Sequence, residues 1–136
     1  MKNLDQSFYQ CLDDFPAAIA VIDPKCSIQF ANTGMLEFLG LPLDKVVGSK
    51  CFQLVHGTKE AIQGCPLITM IKNKERAEVE VDLTGKQYKV QAEPIFTDEG
   101  RLLGGLHIMA DVNEPDTWIS ELDEILVQAR KAFNSQ

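Results

Sequence analysis

Three residues that could bind a metal or carry out thiol chemistry lie close together in the segment "KCFQLVHGTKEAIQGCPL", residues 50–67. They are Cys51, His56 and Cys65. Thiolate and imidazole groups are the usual ligands of zinc, although a structural zinc site normally uses four of them. The two cysteines could instead form a redox pair, or a cysteine and the histidine could act as nucleophile and base. The spacing leaves these hypotheses open, together with the interpretation that both cysteines are small buried residues at helix starts.

Composition narrows the class of protein. The chain has 136 residues, of which 45% are hydrophobic, so we predict a single domain with a hydrophobic core. Its net charge of −7 would be repelled by phosphate backbones, so no direct nucleic-acid partner is expected. The apolar runs are too short to insert into a membrane, and no secretory signal is visible. We therefore predict a cytoplasmic protein whose four cysteines are thiols or ligands rather than a disulfide framework.

The first half of the chain predicts two short strands and then short helices. "AIAVID" ends in an Asp-Pro turn signal, and "CSIQFAN" is expected to place Ile28 and Phe30 on one face. Asn32 could cap the next helix, which Gly40 would end. A later helix is expected to begin at Pro66, directly after Cys65.

The second half predicts a three-stranded antiparallel meander. "AEVEVDL" alternates strictly, with Glu78, Glu80 and Asp82 on a solvated face. "QYKVQAEPIF" alternates again, with Tyr88 and Val90 pointing inward, and "RLLGGLHIMADV" is apolar on both faces. The tight connections "TGK" and "TDEG" indicate that the strands are neighbours, so the fold class is α+β.

Amphipathic segments flank this core. Apolar residues recur every three or four positions near both ends of the chain, which predicts two helices. We expect an N-terminal flanking helix at residues 1–14, the main domain at 15–113 and a C-terminal signalling or coiled-coil helix at 114–136. The last of these would either pack on its own domain or begin a dimeric coiled coil.

The order of these elements and several motifs resemble the PAS domain family. The segments concerned are "FPAAIAVIDPKCSIQFAN", "FLGLPLDKVVGSKCFQLV" and "EPIFTDEGRLLGGLHIMADVNE". The resemblance implies a five-stranded antiparallel sheet with helices on one face, between N- and C-terminal amphipathic helices. A subset of the family carries a similar Cys, His-Gly and Cys-Pro element. Here the first cysteine of its "C-x-x-C-P" turn is replaced by Ile62, so only three potential ligands remain.

The resemblance implies a sensory signal-transduction module rather than an enzyme. Such a module would bind a small ligand or partner and form a homodimer through its flanking helices. It would relay the signal to an effector such as the histidine kinase of a two-component system or a transcription regulator. Two alternatives stay open: a metal- or redox-sensing variant using Cys51, His56 and Cys65, and a ligand-free interaction module that dimerises.

Neither haem nor flavin is supported as a cofactor, whereas a metal stays open. The long helix offers no histidine to haem iron, and the "N-C-R-F" sequence of flavin photosensors is absent. No P-loop, dinucleotide-binding glycine pattern or serine elbow is present, so we assign no catalytic residue.

Two further sets of residues are predicted from strand alternation and family resemblance. A ligand pocket between the helices and the inner sheet face would be small and mainly hydrophobic, and Tyr88 would supply its polar group. Ile19, Val21, His107 and Met109 are expected to share the other face, covered by the N-terminal helix or a second subunit. The pocket set is Phe30, Phe38, Phe52, Ile71, Val79, Val81, Tyr88, Val90, Leu106 and Ile108. The dimer-interface set is Phe8, Leu12, Ile19, Val21, His107, Met109, Leu122 and Leu126.

Overall fold

A computed structural model describes residues 10, 12–14, 17–56, 65–83, 85–97, 99–111 and 127, without the side chains of residues 55, 56 and 83. Its centre is a five-stranded antiparallel sheet with strand order β2-β1-β5-β4-β3. The strands are β1 (Ala18–Ile22), β2 (Ile28–Ala31), β3 (Ala77–Leu83), β4 (Lys86–Phe96) and β5 (Leu102–Asp111). Four helices lie between β2 and β3: α1 (Thr33–Leu39), α2 (Leu43–Val46), α3 (Cys51–His56) and α4 (Pro66–Asn73). The predicted hairpin, helices and meander are confirmed.

Capping side chains, a glycine and a proline set the limits of helices α1 and α4. The side chain of Asn32 accepts a hydrogen bond from the Met35 amide, which is the predicted N-cap of α1. Gly40 ends α1 in the left-handed conformation, with φ of 70°, where a side chain is disfavoured. Cys65 is the N-cap residue of α4, and Pro66 occupies its first turn. Both helix starts therefore follow from the sequence signals.

The helices cover one face of the sheet, which we call the helix face. Ala20 and Ile22 of β1 and Ala92 of β4 form a buried cluster there with Met35, Leu67 and Met70 of the helices. Gly105 of β5 makes this close packing feasible. A Cβ at this position would collide with the Met70 side chain and lie 2.9 Å from the carbonyl oxygen of Glu93.

The opposite face of the sheet, which we call the outer face, is also buried within a single chain. Ile19, Val21, Leu106 and Ile108 are each at most 1% exposed, and Leu12 is fully buried. These side chains are therefore covered within one chain, and the assignment of Leu12, Ile19 and Val21 to a dimer interface stays a prediction.

Two polar residues of β4 also lie on the outer face. Gln91 is opposite Ile108 and Glu93 is opposite Leu106, and both are buried. Glu93 forms an ion pair with Arg76 and accepts a hydrogen bond from Gln91 Nε2 at 2.6 Å. The carboxylate consequently has partners in a buried setting, where an unpaired charge would be costly.

The prediction that Ile19, Val21, His107 and Met109 share one face was wrong. Directly paired residues of antiparallel strands lie on the same face, and the register pairs Ile19 with Ile108 and Val21 with Leu106. His107 pairs with Ala20 and Met109 with Ala18, so both point to the helix face. Because β5 is apolar on both faces, its sequence does not alternate between polar and apolar residues. The sequence therefore could not show on which face each residue of β5 lies.

A bulge in the first hairpin overturns a second prediction, that Ile28 and Phe30 share a face. The pairing register shifts between Val21 and Ile22, so Phe30 is opposite Val21 while Ile28 is opposite Ile22. An inserted residue of this kind switches the side on which later residues fall. Phe30 therefore lies on the outer face.

The two edges of the sheet differ. Beyond β2, the Ile28 amide donates to the Ser49 carbonyl and the Gly48 amide donates to the Ile28 carbonyl, at 2.9 and 2.8 Å. An isolated bridge between Ser27 and Lys50 extends this contact. At the other edge, β3 presents Glu78, Glu80 and Asp82, which are exposed.

Little of either flanking segment is described. Gln10, Leu12 and Asp13 are helical, and Val127 is an exposed helical residue. Phe8, Leu122 and Leu126 lie outside the described residues, so their assignment to a dimer interface stays a prediction, as do the three domain boundaries. Within the described part of the chain, no helix combines the length and apolar character needed to cross a bilayer.

Candidate functional site

Six apolar or aromatic side chains of the predicted pocket lie together on the helix face, toward β3 and β4. Val79 is paired with Val90 and Val81 with Tyr88, which fixes these four on one face. The ring of Tyr88 meets that of Phe38 from α1 edge-to-face, with centroids 5.9 Å apart. Helix α4, which carries Ile71, packs against β3 and β4. We call this set the helix-face site: Phe38, Ile71, Val79, Val81, Tyr88 and Val90.

The helix-face site is less tightly closed than the neighbouring core. Of its six residues only Val90 is buried, and the other five are half-buried. By contrast Ala20, Ile22 and Met70 are at most 2% exposed. Apolar walls that remain partly accessible, with the Tyr88 hydroxyl as a polar group, are typical of small-molecule sites.

The other members of the predicted pocket fall elsewhere. Phe30, Leu106 and Ile108 lie on the outer face, so their assignment to the pocket was wrong. Phe52 is half-buried on α3, and its place in the pocket stays a prediction. Register also shows two residues that sequence reasoning missed. Met109 is opposite Val90 and Asp111 is opposite Tyr88, so both belong to the helix face beside the site.

The cysteines of the segment at residues 50–67 lie at helix starts. Cys51 is the first residue of α3 and is buried, whereas Cys65 at the start of α4 is half-buried. Both are free thiols. Cys65 packs against the core cluster that includes Cys51.

Cys26 lies across from Cys51, at the end of the turn that precedes β2. The Cys51 amide donates to the Cys26 carbonyl at 2.9 Å, next to the bridge between Ser27 and Lys50. Cys26 is 4% exposed and is a free thiol.

Burial dominates the electrostatics of the buried thiols. It raises the pKa of Cys51 to about 12, and negative charge on Cys65 and Cys26 contributes to this rise. The pKa of Cys26 is also raised, first by burial and then by Cys65, against the lowering effect of the Lys50 ammonium. Both buried cysteines are therefore protonated at neutral pH, and Cys65 is within electrostatic range of each.

The three-residue metal hypothesis depends on His56. Among the residues whose side chains are described, no group of three or more His, Cys, Asp or Glu side chains is arranged to hold a metal ion. The His56 side chain lies outside that description, so a site formed by Cys51, His56 and Cys65 stays a prediction.

The raised pKa of Cys51 predicts a loss of stability at alkaline pH. Above the ordinary pKa of 9.0 the unfolded chain releases this proton, whereas the folded chain keeps it until about pH 12. The unfolded state then binds fewer protons, so the free energy of unfolding falls as pH rises through this window, by at most about 1.4 kcal/mol per pH unit. Urea denaturation between pH 8.5 and 10.5 should show a shallower decline in Cys51→Ala than in wild type. Cys11→Ala is the control variant. If the free energy of unfolding of Cys51→Ala fell as steeply with pH as that of wild type and Cys11→Ala, this account would be contradicted.

Asn32 joins the N-terminal flanking segment to the core. Its Nδ2 donates to the carbonyl oxygens of Leu12 and Ala17, both at 2.9 Å. Its Oδ1 accepts from the amides of Ile19 at 2.9 Å and Met35 at 3.0 Å. The side chain is fully buried and makes four hydrogen bonds, so it connects the flanking segment, β1 and α1.

The two flanking segments join the sheet on neighbouring strands. Ala18 at the start of β1 is paired with Met109 near the end of β5, the central strand. Asp13 Oδ1 accepts a hydrogen bond from the Thr33 amide at 2.8 Å, which holds the N-terminal segment near the start of α1. A displacement of β1 or β5 would therefore act on both ends of the domain.

Solved structures with this fold are known. The chain is similar to a PAS domain of a protein from Colwellia psychrerythraea, with 21% identity, a TM-score of 0.63, and coverage of 81% of this chain and 98% of the other. It is similar to the PAS domain of nitrogen regulation protein NR(II) from Vibrio parahaemolyticus, at 18% identity, a TM-score of 0.57, and coverage of 76% and 96%. It is also similar to the photoactive yellow protein domain of the sensor histidine kinase Ppr from Rhodospirillum centenum, at 12% identity, a TM-score of 0.57, and coverage of 76% and 92%.

The sequence itself identifies the family. The search of curated proteins gives no match. The family model described as PAS domain matches residues 16–114, which is most of the chain and agrees with the strand order and helix placement described above. This chain therefore belongs to the PAS domain family.

Proposed function

We propose that the domain is a non-enzymatic sensory module that binds a small, largely hydrophobic molecule in the helix-face site. The observation that carries this proposal is the contrast between half-buried and fully buried side chains on one face of the sheet. Phe38, Ile71 and Tyr88 are half-buried beside a core that is closed at Ile22 and Met70. Burial of a ligand against these side chains would remove apolar surface from water, which is favourable.

The signal would leave through the flanking segments. β4 carries Tyr88 and Val90, and its neighbour β5 leads directly to the C-terminal segment. β1 pairs with β5 and is bonded through Asn32 to the N-terminal segment. Family membership and likeness to a domain of a sensor histidine kinase support a role of this kind. We propose a homodimer formed through the flanking helices and an effector such as a histidine kinase or a transcription regulator.

Titration with the neutral fluorescent probe N-phenyl-1-naphthylamine tests the ligand site. We expect saturable fluorescence enhancement with one site per chain. Val81→Trp, which would fill the helix-face site, should weaken probe binding at least tenfold, or by about 1.4 kcal/mol. Val47→Trp is the matched control, because Val47 is 45% exposed and lies outside the site. Equal binding by the two variants, or no saturable binding by the wild type, would contradict the site.

Hydrogen exchange on the same samples tests whether ligand binding changes the flanking segments. Saturating probe should change amide exchange in residues 1–17 and 112–136 of the wild type and not of Val81→Trp. A dimer in sedimentation that neither binds the probe nor changes its exchange would favour the ligand-free interaction module instead.

A further inference from the structure

Asp111 adds a carboxylate to the edge of the helix-face site. It is the last residue of β5 and is paired directly with Tyr88 of β4, which in turn is paired with Val81 of β3. Residues paired in this way share a face of the sheet, and their Cβ atoms lie about 4.5–5.5 Å apart. Asp111 is half-buried, like Tyr88 and Val81. One acidic side chain therefore stands next to the aromatic and apolar wall of the site.

Most other charged side chains of β3 and β4 face away from the helix-face site. Glu80 is paired with Lys89 on the outer face, and Lys89 Nζ lies 3.5 Å from Glu78 Oε1. Lys86, the first residue of β4, lies on the helix face but is exposed. Because water screens an exposed charge more strongly than a half-buried one, Asp111 dominates the electrostatic potential at the site.

Aromatic rings supply a second attraction for positive charge. The rings of Phe38 and Tyr88 meet edge-to-face, with centroids 5.9 Å apart, and both residues are half-buried. In this geometry one ring covers a single face of the other, so further ring faces are left for a third group. The face of an aromatic ring attracts a cation that lies within about 6 Å of its centroid. The neighbouring charged residues of the two helices, Glu37 of α1 and Lys72 of α4, are exposed.

We propose that the helix-face site selects an ammonium compound with an apolar body. Asp111 pairs with the positive charge, the ring faces of Phe38 and Tyr88 contact the charged group, and the valine side chains hold the carbon skeleton. The net charge of −7 attracts a cation to the domain from a distance. This proposal rests on the proposed function, because it names the class of ligand for the same site.

Two ligands of equal shape and different charge test this selection. Phenyltrimethylammonium has a positive nitrogen where tert-butylbenzene has a neutral carbon. Each is used to displace N-phenyl-1-naphthylamine from the protein, and the displacement gives its dissociation constant. We expect the wild type to bind the cation at least about tenfold more tightly than the neutral compound. Asp111→Asn keeps the shape and removes the charge, so it should abolish this preference and change the affinity for tert-butylbenzene by less than about twofold.

Two further variants separate local charge from other effects. Glu99→Gln is the matched control, because it removes one negative charge from an exposed turn beyond the other end of β5, and it should keep the preference for the cation. Asp111→Glu retains the charge and should also keep the preference. If Asp111→Glu loses the preference as Asp111→Asn does, the residue acts through structure and the proposal is overturned.

The same titrations distinguish this proposal from the proposed function. If the wild type binds the neutral probe and tert-butylbenzene but does not prefer the cation, the selection is overturned while the hydrophobic site stands. The selection is also overturned if Glu99→Gln weakens cation binding as much as Asp111→Asn. If the wild type binds none of the three compounds, the proposed function fails and this proposal fails with it.

Discussion

Replacement of Asn32 by leucine is expected to destabilise the domain by about 4 kcal/mol, because it leaves several buried groups without hydrogen bonds. Leucine has the same branching and the same number of side-chain heavy atoms, but it carries no hydrogen-bonding group. The amides of Ile19 and Met35 lose their acceptor, and the carbonyls of Leu12 and Ala17 lose their donor. Each buried polar group left unsatisfied costs about 1–3 kcal/mol. Urea denaturation of both proteins at pH 7 measures the difference.

Asn73→Leu is the matched control for this prediction. It is the same exchange at an exposed position, the last residue of α4, and should change the free energy of unfolding by less than about 0.5 kcal/mol. Asn32→Asp supplies an intermediate case, because it keeps the two accepted bonds and loses the two donated ones. If Asn32→Leu costs no more than Asn73→Leu, the connection between flanking segment and core contributes nothing to stability.

Gly104→Ala should be the second severely destabilised variant. A Cβ at Gly104 would run into the carbonyl oxygen of Ile22, which is backbone of the paired strand and cannot rotate away. Gly104 also has a backbone φ of 157°, which residues with a side chain rarely adopt. Overpacking of this kind costs about 1–3 kcal/mol and backbone strain adds about 1–2 kcal/mol. We expect a loss of about 3 kcal/mol in chemical denaturation, with β1 separating from β5.

Gly100→Ala distinguishes the collision from the strain. Gly100 has φ of 89°, and no heavy atom lies within 4 Å of the position that an alanine Cβ would take, so the variant should suffer backbone strain alone. We expect about 1 kcal/mol for this change. Equal losses in the two variants would mean that the contact with Ile22 contributes little.

The elements of this fold could be predicted from the sequence because their signals are local. The alternation of Val79 and Val81 with carboxylates identifies β3, and the amide side chain of Asn32 together with Gly40 identifies the limits of α1. Register is different, because it depends on which distant residues meet. β5 is apolar on both sides, so His107 and Met109 could not be assigned to the helix face before pairing was known.

The candidate site was predicted in part for the same reason. Tyr88, Val81 and Val90 lie on strands in which apolar and polar residues alternate, so the sequence predicted that these side chains point toward the core. Phe30 was misplaced by a one-residue bulge that leaves no clear trace in the sequence. The positive φ of Cys26 could not be predicted from the residue type, because cysteine seldom adopts it, although Cys26 stands two residues after the Asp-Pro turn signal.

The unequal edges of the sheet bear on how copies of this domain can assemble. An open strand edge is a template for pairing with a neighbouring molecule, and proteins at high local concentration must block it. Here the β2 edge is occupied by backbone bonds to Gly48 and Ser49, and a strand added beside β3 would bring its own side chains against Glu78, Glu80 and Asp82. Domains crowded into an array would thus resist fusing into continuous sheets. The proposed homodimer would then have to form through surfaces other than the sheet edges, such as the flanking segments at the ends of the domain.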